Sequence, residues 1–398
     1  MTGFQLPADA IAALGKRLEQ VGCEKMAPGD AIGRVLASDL LADRDSPPLD
    51  VSAMDGYGFR RSDAIEALNS GGGWLAVSHT IPAGSSPDNP PAGSAVKIFT
   101  GAPVPNEVDC VVKREDTDES QQAKVRIREV PDVGKNIRFK GENSKAGDVV
   151  LAAGAELSAT RVAGLAAFVG EHVNVRRRVR VAVINTGDEL VSLGQSAEPW
   201  QIRDSNGPFL AAWLAKFGWV DVVCRRSLRD DFDTVKDSIS EAKEQADAVL
   251  LTGGVSMGDA DYVPGAIESL GGETVFHRLP IRPGKPVLGA CIDGKLILGL
   301  PGNPVSVAVT ARAIGLPLLQ LLAGRNENRG APLVHVVNPD TKTLGLVWHR
   351  LARINSSGDI ELVGGRGSGD IVALAASDGV VVLPPGESGS GPWPWLTW

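Results

Sequence analysis

Six clusters of glycine, acid and hydroxyl residues carry the groups from which chemistry can be built. In VINTGDELV, residues 183–191, an apolar run delivers Thr186, Gly187, Asp188 and Glu189; a hydroxyl and two carboxylates beside a flexible turn suit Mg²⁺ or a polar substrate. VLLTGGVSMGDADYV, residues 249–263, places Gly253, Gly254, Ser256 and Gly258 where backbone N–H groups can surround an oxyanion, with Asp259 and Asp261 following as metal ligands or bases. This is neither a GK[ST] phosphate loop nor GxGxxG. Arg278, Arg282 and Lys285 put cations around one Pro-Gly turn, an arrangement suited to a polyanion in an otherwise acidic chain. GLPGNPVSVAV, residues 299–309, follows with a proline-bounded turn opening a helix. SLRDDFD carries Asp230 and Asp231, which helix capping alone explains. In the first half, VSAMDGYGF holds Asp55, Gly56 and Tyr57, while the stretch from Phe99 to Asp116 holds Thr100, Gly101, Asp109 and Glu115. Each of these two alone reads as a turn. The two tyrosines of the chain, Tyr57 and Tyr262, both fall inside such clusters.

The elements that must position these groups fall into four regions. Residues 7–21 repeat apolar positions at helical spacing and predict one amphipathic helix. Residues 46–140 are punctuated by proline and glycine between β-rich pieces, and predict a small β domain inserted between helical linker segments at 1–45 and 141–176, the latter containing a helix capped by Ser158. Residues 177–325 alternate strand-like and helix-like patterns, the signature of an α/β domain with an at least partly parallel sheet. Ligands of such sheets sit beyond the carboxyl ends of the strands, where the glycine-rich turns fall. Residues 326–398 return to strand patterns and end in PWPWLTW, read as packing onto a C-terminal β domain. The fold class is thus multidomain, α/β plus β.

Composition narrows the function. With 398 residues the chain exceeds one compact core. Lys plus Arg is 40 against 48 Asp plus Glu, a net charge of −8 that argues against general nucleic-acid binding or a polybasic membrane surface. No apolar run is read as approaching the roughly 20 residues that span a bilayer, and the N-terminus lacks the marks of an export signal, so a soluble cytoplasmic protein is expected. Glycine is in excess, at 47 residues beside 26 prolines, which implies many tight turns. Cys23, Cys110, Cys224 and Cys291 are scattered and read as buried free thiols. The five histidines share no ligand or triad spacing, and RRRVR at 176–180 reads as a solvated strand edge.

Taken in order, SAMDGYGF, FTGAPVP, GEN, INTGDELV, IRDSNGPFL, TGGVSMGDADYV, IRPGKP and GLPGNPVS resemble the molybdopterin molybdenumtransferase family, MoeA-like and shared with the C-terminal module of gephyrin. The resemblance runs from about residue 10 to the GSGDIVALAASDG stretch at 367–379. It implies a homodimer whose α/β domain binds molybdopterin, and an activity that inserts molybdate into adenylylated molybdopterin with release of AMP, assisted by Mg²⁺. By the same resemblance Asp261, Glu189 and Asp230 are catalytic acids, joined by Asp55 and Thr100 from the dimer partner, with Glu189 and Asp261 as metal ligands. Substrate binding falls to Gly253, Gly254, Ser256, Gly258, Asp204, Asn206 and Arg138, to the cations Arg278, Arg282 and Lys285, and to the Pro301, Gly302, Asn303, Pro304 turn. The molybdopterin adenylyltransferase and recipient apo-molybdoenzymes are the implied partners.

Two departures are visible. Asn143 stands where the family shows Asp, and Arg278 and Arg282 stand where it shows lysine. They leave open a non-catalytic cofactor carrier or a paralogue working on tungstate. The α/β region also resembles molybdopterin adenylyltransferase and CinA-type domains, a reading against which the Asp55 and Thr100 motifs count.

Overall fold

A central sheet of six strands organises the α/β region. Its elements are β1 (Val179–Thr186), α1 (Asn206–Leu214), β2 (Val220–Leu228), α2 (Phe232–Gln245), β3 (Ala248–Thr252), α3 (Val263–Ser269), β4 (Glu273–His277), β5 (Leu288–Ile292), β6 (Lys295–Leu300), α4 (Pro304–Thr310) and α5 (Leu316–Leu322). The spatial order is β2-β1-β3-β6-β5-β4. The pairs β1/β2, β1/β3 and β3/β6 are parallel; β5 runs antiparallel to both β6 and β4. Parallel strands joined by helices bury both faces, which is why β1 and β3 read as continuous apolar runs. Val181, Val183 and Leu250 pack on one face with Leu210 of α1, and Ala182, Ile184 and Leu251 on the other with Ile239 of α2. Burying each such aliphatic side chain contributes roughly 1.5–3 kcal/mol.

The computed structural model describes residues 4, 6–256, 261–326 and 330–398. It divides into two units: Met1–Ser38, Ala152–Ala163 and Glu171–Trp398 form one, Asp39–Leu151 and Gly164–Gly170 the other. In the first unit a mixed sheet follows the α/β region, in the order Ile281–Arg282, Val347–Ile354, Gly379–Leu383, Trp393–Thr397, Leu333–Val334. The strand Ile281–Arg282 pairs in parallel with Val347–Ile354, so that Arg282 lies opposite Trp348. The other unit holds a further six-stranded sheet in which Gly56–Phe59 lies between Ser94–Ile98 and Cys110–Lys113, antiparallel to both.

The fold class agrees with the sequence reading, and several details differ from it. The first helix spans Pro7–Gly15 and stops short of residue 21. Beyond Gly15 the chain turns, Arg17 pairing with Glu273 and the Glu19 N–H donating to the Gly294 carbonyl. The continuous helix Pro304–Leu322 has 19 residues and a mean hydropathy of 1.7, so one apolar stretch does reach membrane-spanning length. It is 72% buried inside the protein, as a core helix is. A π-turn at Ala311–Gly315 interrupts it just before Pro317, whose ring nitrogen has no hydrogen to donate back along the helix. Cys110 is buried, but Cys23 is exposed and Cys224 and Cys291 are half-buried. The RRRVR segment is more than a solvated edge: Arg177 grips the Asp247 carboxylate through both its oxygens at 2.6 and 2.8 Å, and Arg180 adds a backbone N–H at 2.9 Å. Desolvation pushes the Asp247 carboxyl up, and these donors more than offset it, holding the group below its ordinary range.

Candidate active site

Parallel pairing sends the ends of β1, β2, β3 and β6 to one edge, and the turns after them converge there on a cavity of about 620 Å³. Glu189, Asp230 and Asp261 line it together with Gly253, Gly254, Asn206, Gly302, Asn303 and Pro304. These nine residues of five sequence clusters meet in one place. The Gly253 turn must be glycine: at φ 89° a Cβ would lie 2.6 Å from the Thr186 carbonyl oxygen and 2.8 Å from its hydroxyl. The Glu189 carboxylate folds over Gly187, within 2.9 Å of where a Cβ would stand. The Gly254 carbonyl accepts from the Val263 N–H at 3.2 Å, which closes the base of the loop that presents Asp261.

The two aspartates of SLRDDFD have separate jobs. Asp231 caps α2, accepting from the N–H and the hydroxyl of Thr234 at 2.8 and 2.7 Å, and these bonds hold its carboxyl below the ordinary range. With the helix capped by Asp231, Asp230 faces the cavity.

A buried polar chain sets the floor. Thr252 donates its hydroxyl to Asn185 Oδ1 at 2.8 Å, Asn185 donates its amide to Asp204 at 2.7 Å, and Asp204 accepts from the Gly207 N–H at the start of α1 at 3.0 Å. Asn206, carried by that helix, donates its amide to the Gly302 carbonyl at 2.7 Å and so ties α1 to the turn after β6. Asp204 therefore supports the cavity without lining it; Asn185, which does this work, was not singled out in the sequence. Thr186 lines the cavity, and its buried hydroxyl has no hydrogen-bond partner among the described residues.

A second cavity of about 760 Å³, sharing Asn303 with the first, is lined by Arg282, Lys285, Pro301, Arg350 and Arg366. The guanidinium carbons of Arg282 and Arg350 stand 5.9 and 4.9 Å from the centre of the Trp348 ring, stacked on it by cation–π attraction. Arg350 also pairs with Asp340, whereas among the described residues Arg282, Lys285 and Arg366 form no ion pair. His349 lies buried in this wall, and burial pushes its imidazole down to about 4. Gly284 lets the turn approach α4, since a Cβ there would lie 2.3 Å from the Thr310 methyl. Arg350 and Arg366 were missed by the sequence reading; the glycine-rich run GGRGSGD around Arg366 was the available signal.

Other expected residues stand elsewhere. Arg278 has φ 70° and an exposed side chain that lines neither cavity, because the left-handed turn swings it out of line with Arg282. Ser256 is exposed and does not line the cavity, and Gly258 and Asp259 lie outside the described residues. Asp55, Thr100 and Arg138 belong to the other unit. There Asp55 Oδ1 accepts from both the N–H and the hydroxyl of Thr100 at 2.7 Å, which lowers its carboxyl from the ordinary range. Arg138 pairs with Glu142 and donates to Asn143 Oδ1 at 2.8 Å. Both tyrosines serve packing: Tyr57 is pushed up to about 12 by burial and by its bond to Glu119, and Tyr262 sets its ring edge on Phe232 at 6.4 Å. No group of three or more His, Cys, Asp or Glu side chains able to hold a metal occurs among the described residues.

Comparison with known proteins agrees with this architecture. Residues 5–170 match the MoeA N-terminal region (domain I and II), and residues 182–321 match the probable molybdopterin binding domain. The molybdopterin molybdenumtransferase of Nostoc sp. is 36% identical over 368 residues, 90% of this chain and 84% of that protein. That of Haemophilus influenzae is 34% identical over 363 residues, 89% of this chain and 88% of that protein. The crystal structure of the molybdopterin biosynthesis MoeA protein from Pyrococcus horikoshii superimposes with a TM-score of 0.81 at 26% identity, covering 98% of this chain and 99% of the other. With likeness in sequence and backbone along nine-tenths of its length, the chain belongs to the molybdopterin molybdenumtransferase (MoeA) family, enzymes of molybdenum cofactor biosynthesis.

Proposed function

We propose that this enzyme inserts molybdate into adenylylated molybdopterin and releases AMP. The observation that carries the proposal is the juxtaposition of an acid-lined cavity, holding Glu189, Asp230 and Asp261 over the Gly253–Gly254 turn, with a basic cavity holding Arg282, Lys285 and Arg366. The substrate joins two phosphates through an anhydride, and molybdate is a further oxyanion; unpaired cations and turn N–H groups suit both. In the cleavage a water oxygen forms the new P–O bond, the bridging P–O bond breaks with its electron pair leaving on the departing phosphate, and the water protons pass to the acids and solvent.

Mg²⁺ suits the donor set. Glu189 and Asp261 offer carboxylates and Thr186 a buried hydroxyl with no partner among the described residues, a set that fits an ion usually held by one or two carboxylates, water and substrate phosphate. Bound there, the ion would offset charge on the phosphate oxygens. Asp55 and Thr100 enter the proposal through the family motifs, as groups supplied across a homodimer, and Arg138 as a substrate-binding group; the cytoplasmic setting and the fourfold domain division enter on the same grounds. Gly258 and the Asn206–Gly302 tie belong to substrate binding on the same grounds.

The test is AMP release from adenylylated molybdopterin by purified protein with Mg²⁺ and molybdate or tungstate, coupled to reactivation of an apo-molybdoenzyme. Molybdate-dependent release is expected, and Asp261→Asn is expected to abolish it while the protein stays folded. Tight binding without AMP release would replace the transferase by a carrier, and wild-type turnover in Asp261→Asn would overturn the site.

A further inference from the structure

In the β-rich unit a cation and a carboxylate stand side by side without pairing. The register of Gly56–Phe59 on Cys110–Lys113 sets Gly56 opposite Lys113 and Tyr57 opposite Val112. It continues to Asp55 and Arg114, where the Arg114 backbone N–H donates to the Asp55 carbonyl at 3.0 Å. Side chains directly opposite in an antiparallel pair share a face, with Cβ atoms about 5 Å apart, and opposite charges placed so attract. Yet among the described residues Arg114 pairs with Glu119 and not with Asp55. Thr100 occupies Asp55 Oδ1 with its N–H and its hydroxyl, and Asp55 Oδ2 accepts no hydrogen bond among the described residues.

Glu119 draws the guanidinium away. It accepts from Arg114 Nε at 2.8 Å and from Nη2 at 3.0 Å, a two-pronged grip that a single cross-strand contact does not match. Glu119 is itself held in place. The pairing of Thr117–Asp118 with Lys124–Ile127 fixes the chain just before it. Tyr57, two residues beyond Asp55 and so on the same face of the chain, gives it a hydroxyl hydrogen bond. Lys97, opposite Tyr57 on the next strand, adds its charge. Arg114 and Tyr57 hold the Glu119 carboxyl below its ordinary range, which keeps it ionised at neutral pH. Resting on the transferase reading and its use of Asp55 as a site acid, we propose that Glu119, oriented by Tyr57, is a positioning residue that keeps Arg114 off Asp55 and leaves Asp55 Oδ2 open to the substrate. Beyond its packing, Tyr57 thus serves the site. Arg114 does not act as an anion binder here, because Glu119 fills its Nε–Nη2 edge. Its side chain is more than half exposed, so releasing it shifts a competition between exposed ion pairs, a matter of a few-fold in population.

Steady-state turnover of adenylylated molybdopterin by the full-length protein, with the melting midpoint of each variant beside it, tests the arrangement. Glu119→Gln keeps the shape of the side chain but releases the guanidinium, and kcat/KM is expected to fall about two- to fivefold. Arg114→Gln, with no cation to release, is expected to stay near wild type, and the double variant Glu119→Gln/Arg114→Gln to recover the level of Arg114→Gln. Support of the fold alone predicts the opposite, a double variant no better than Glu119→Gln, and that result overturns the proposal. So does unchanged kcat/KM in Glu119→Gln, or a loss in Arg114→Gln as deep as in Asp55→Asn. Tyr57→Phe is expected to reproduce part of the loss and to be rescued by Arg114→Gln in the same way, which keeps the test decisive if Glu119→Gln does not fold. The crystal structure of Glu119→Gln reads the contact directly: the Arg114 guanidinium is expected within about 4 Å of the Asp55 carboxylate. Arg114 left in its wild-type place overturns the proposal whatever the turnover. Wild-type turnover in Asp55→Asn overturns the use of Asp55 as a site acid instead, and the crystal structure still decides whether Glu119 holds Arg114 off it.

Discussion

Replacing Asn185 tests whether the cavity floor is held by a polar chain or by apolar packing alone. Asn185 is fully buried, donates to Asp204 at 2.7 Å and accepts from the equally buried Thr252 hydroxyl at 2.8 Å. Asn185→Ala strands both partners, at about 1–3 kcal/mol for each unsatisfied group, so a loss of roughly 2–6 kcal/mol is expected. Asn185→Asp keeps the shape but sets two carboxylates against each other. Like charges about 3 Å apart repel by roughly 5 kcal/mol at an effective dielectric of about 20. The pair avoids this by retaining a proton, which restores the lost donor. The sign follows: the introduced carboxyl has a folded pKa raised above its unfolded value of about 4, so its contribution is present below that value and is lost as pH rises through the folded pKa. Urea unfolding followed by tryptophan fluorescence at pH 5 and pH 8, with turnover measured alongside, separates the cases. Asn185→Asp should lie closer to wild type at pH 5 than at pH 8, with activity falling as the Asp204 cap on α1 and hence the Asn206 tie loosen. Equal stability of Asn185→Asp and wild type at pH 8, or of Asn185→Ala and wild type at both values, would refute the reasoning.

Two further outcomes are expected. Asp230→Asn should abolish turnover and leave the unfolding midpoint unchanged, whereas Asp231→Ala should remove the α2 cap and lower the midpoint while turnover survives; the reverse pattern in paired activity and melting measurements would exchange their roles. His349, buried and neutral, has a folded pKa of about 4 against about 6.5 unfolded, so its contribution is present above 6.5 and is lost as pH falls toward 4, a change of about 3 kcal/mol. His349→Gln should flatten that part of the stability profile, and a variant profile parallel to wild type between pH 7 and pH 4.5 would exclude the imidazole as its source.

The α/β rhythm, the glycine turns and the strand-end placement of Glu189, Gly253 and Asp261 were legible because each depends on residues close in sequence. Apolar runs bounded by turns report burial on both faces, and the left-handed backbone at Gly253, φ 89°, asks for glycine by local sterics. Roles divided between similar neighbours were not legible. Asp230 and Asp231 both fit a cap, and only the backbone geometry that begins α2 commits Asp231 to Thr234 and frees Asp230 for the cavity. Arg278, Arg282 and Lys285 look equivalent around one turn, yet the left-handed backbone at Arg278 removes it from the cavity that the other two enter.

Sequence alone determined the local chemistry: which turns expose backbone N–H groups, where carboxylates stand at strand ends, and, through eight ordered motifs, the family. Tertiary structure alone decided which of those groups meet. Parallel pairing of β1, β2, β3 and β6 brings acids from three separate turns together with the Gly302–Asn303 turn, and the pairing of Ile281–Arg282 with Val347–Ile354 sets Arg350 and Arg366 beside Lys285. The physical reason is range: backbone sterics and capping act over a few residues, whereas sheet register and packing join segments whose separation along the chain leaves no mark in either one.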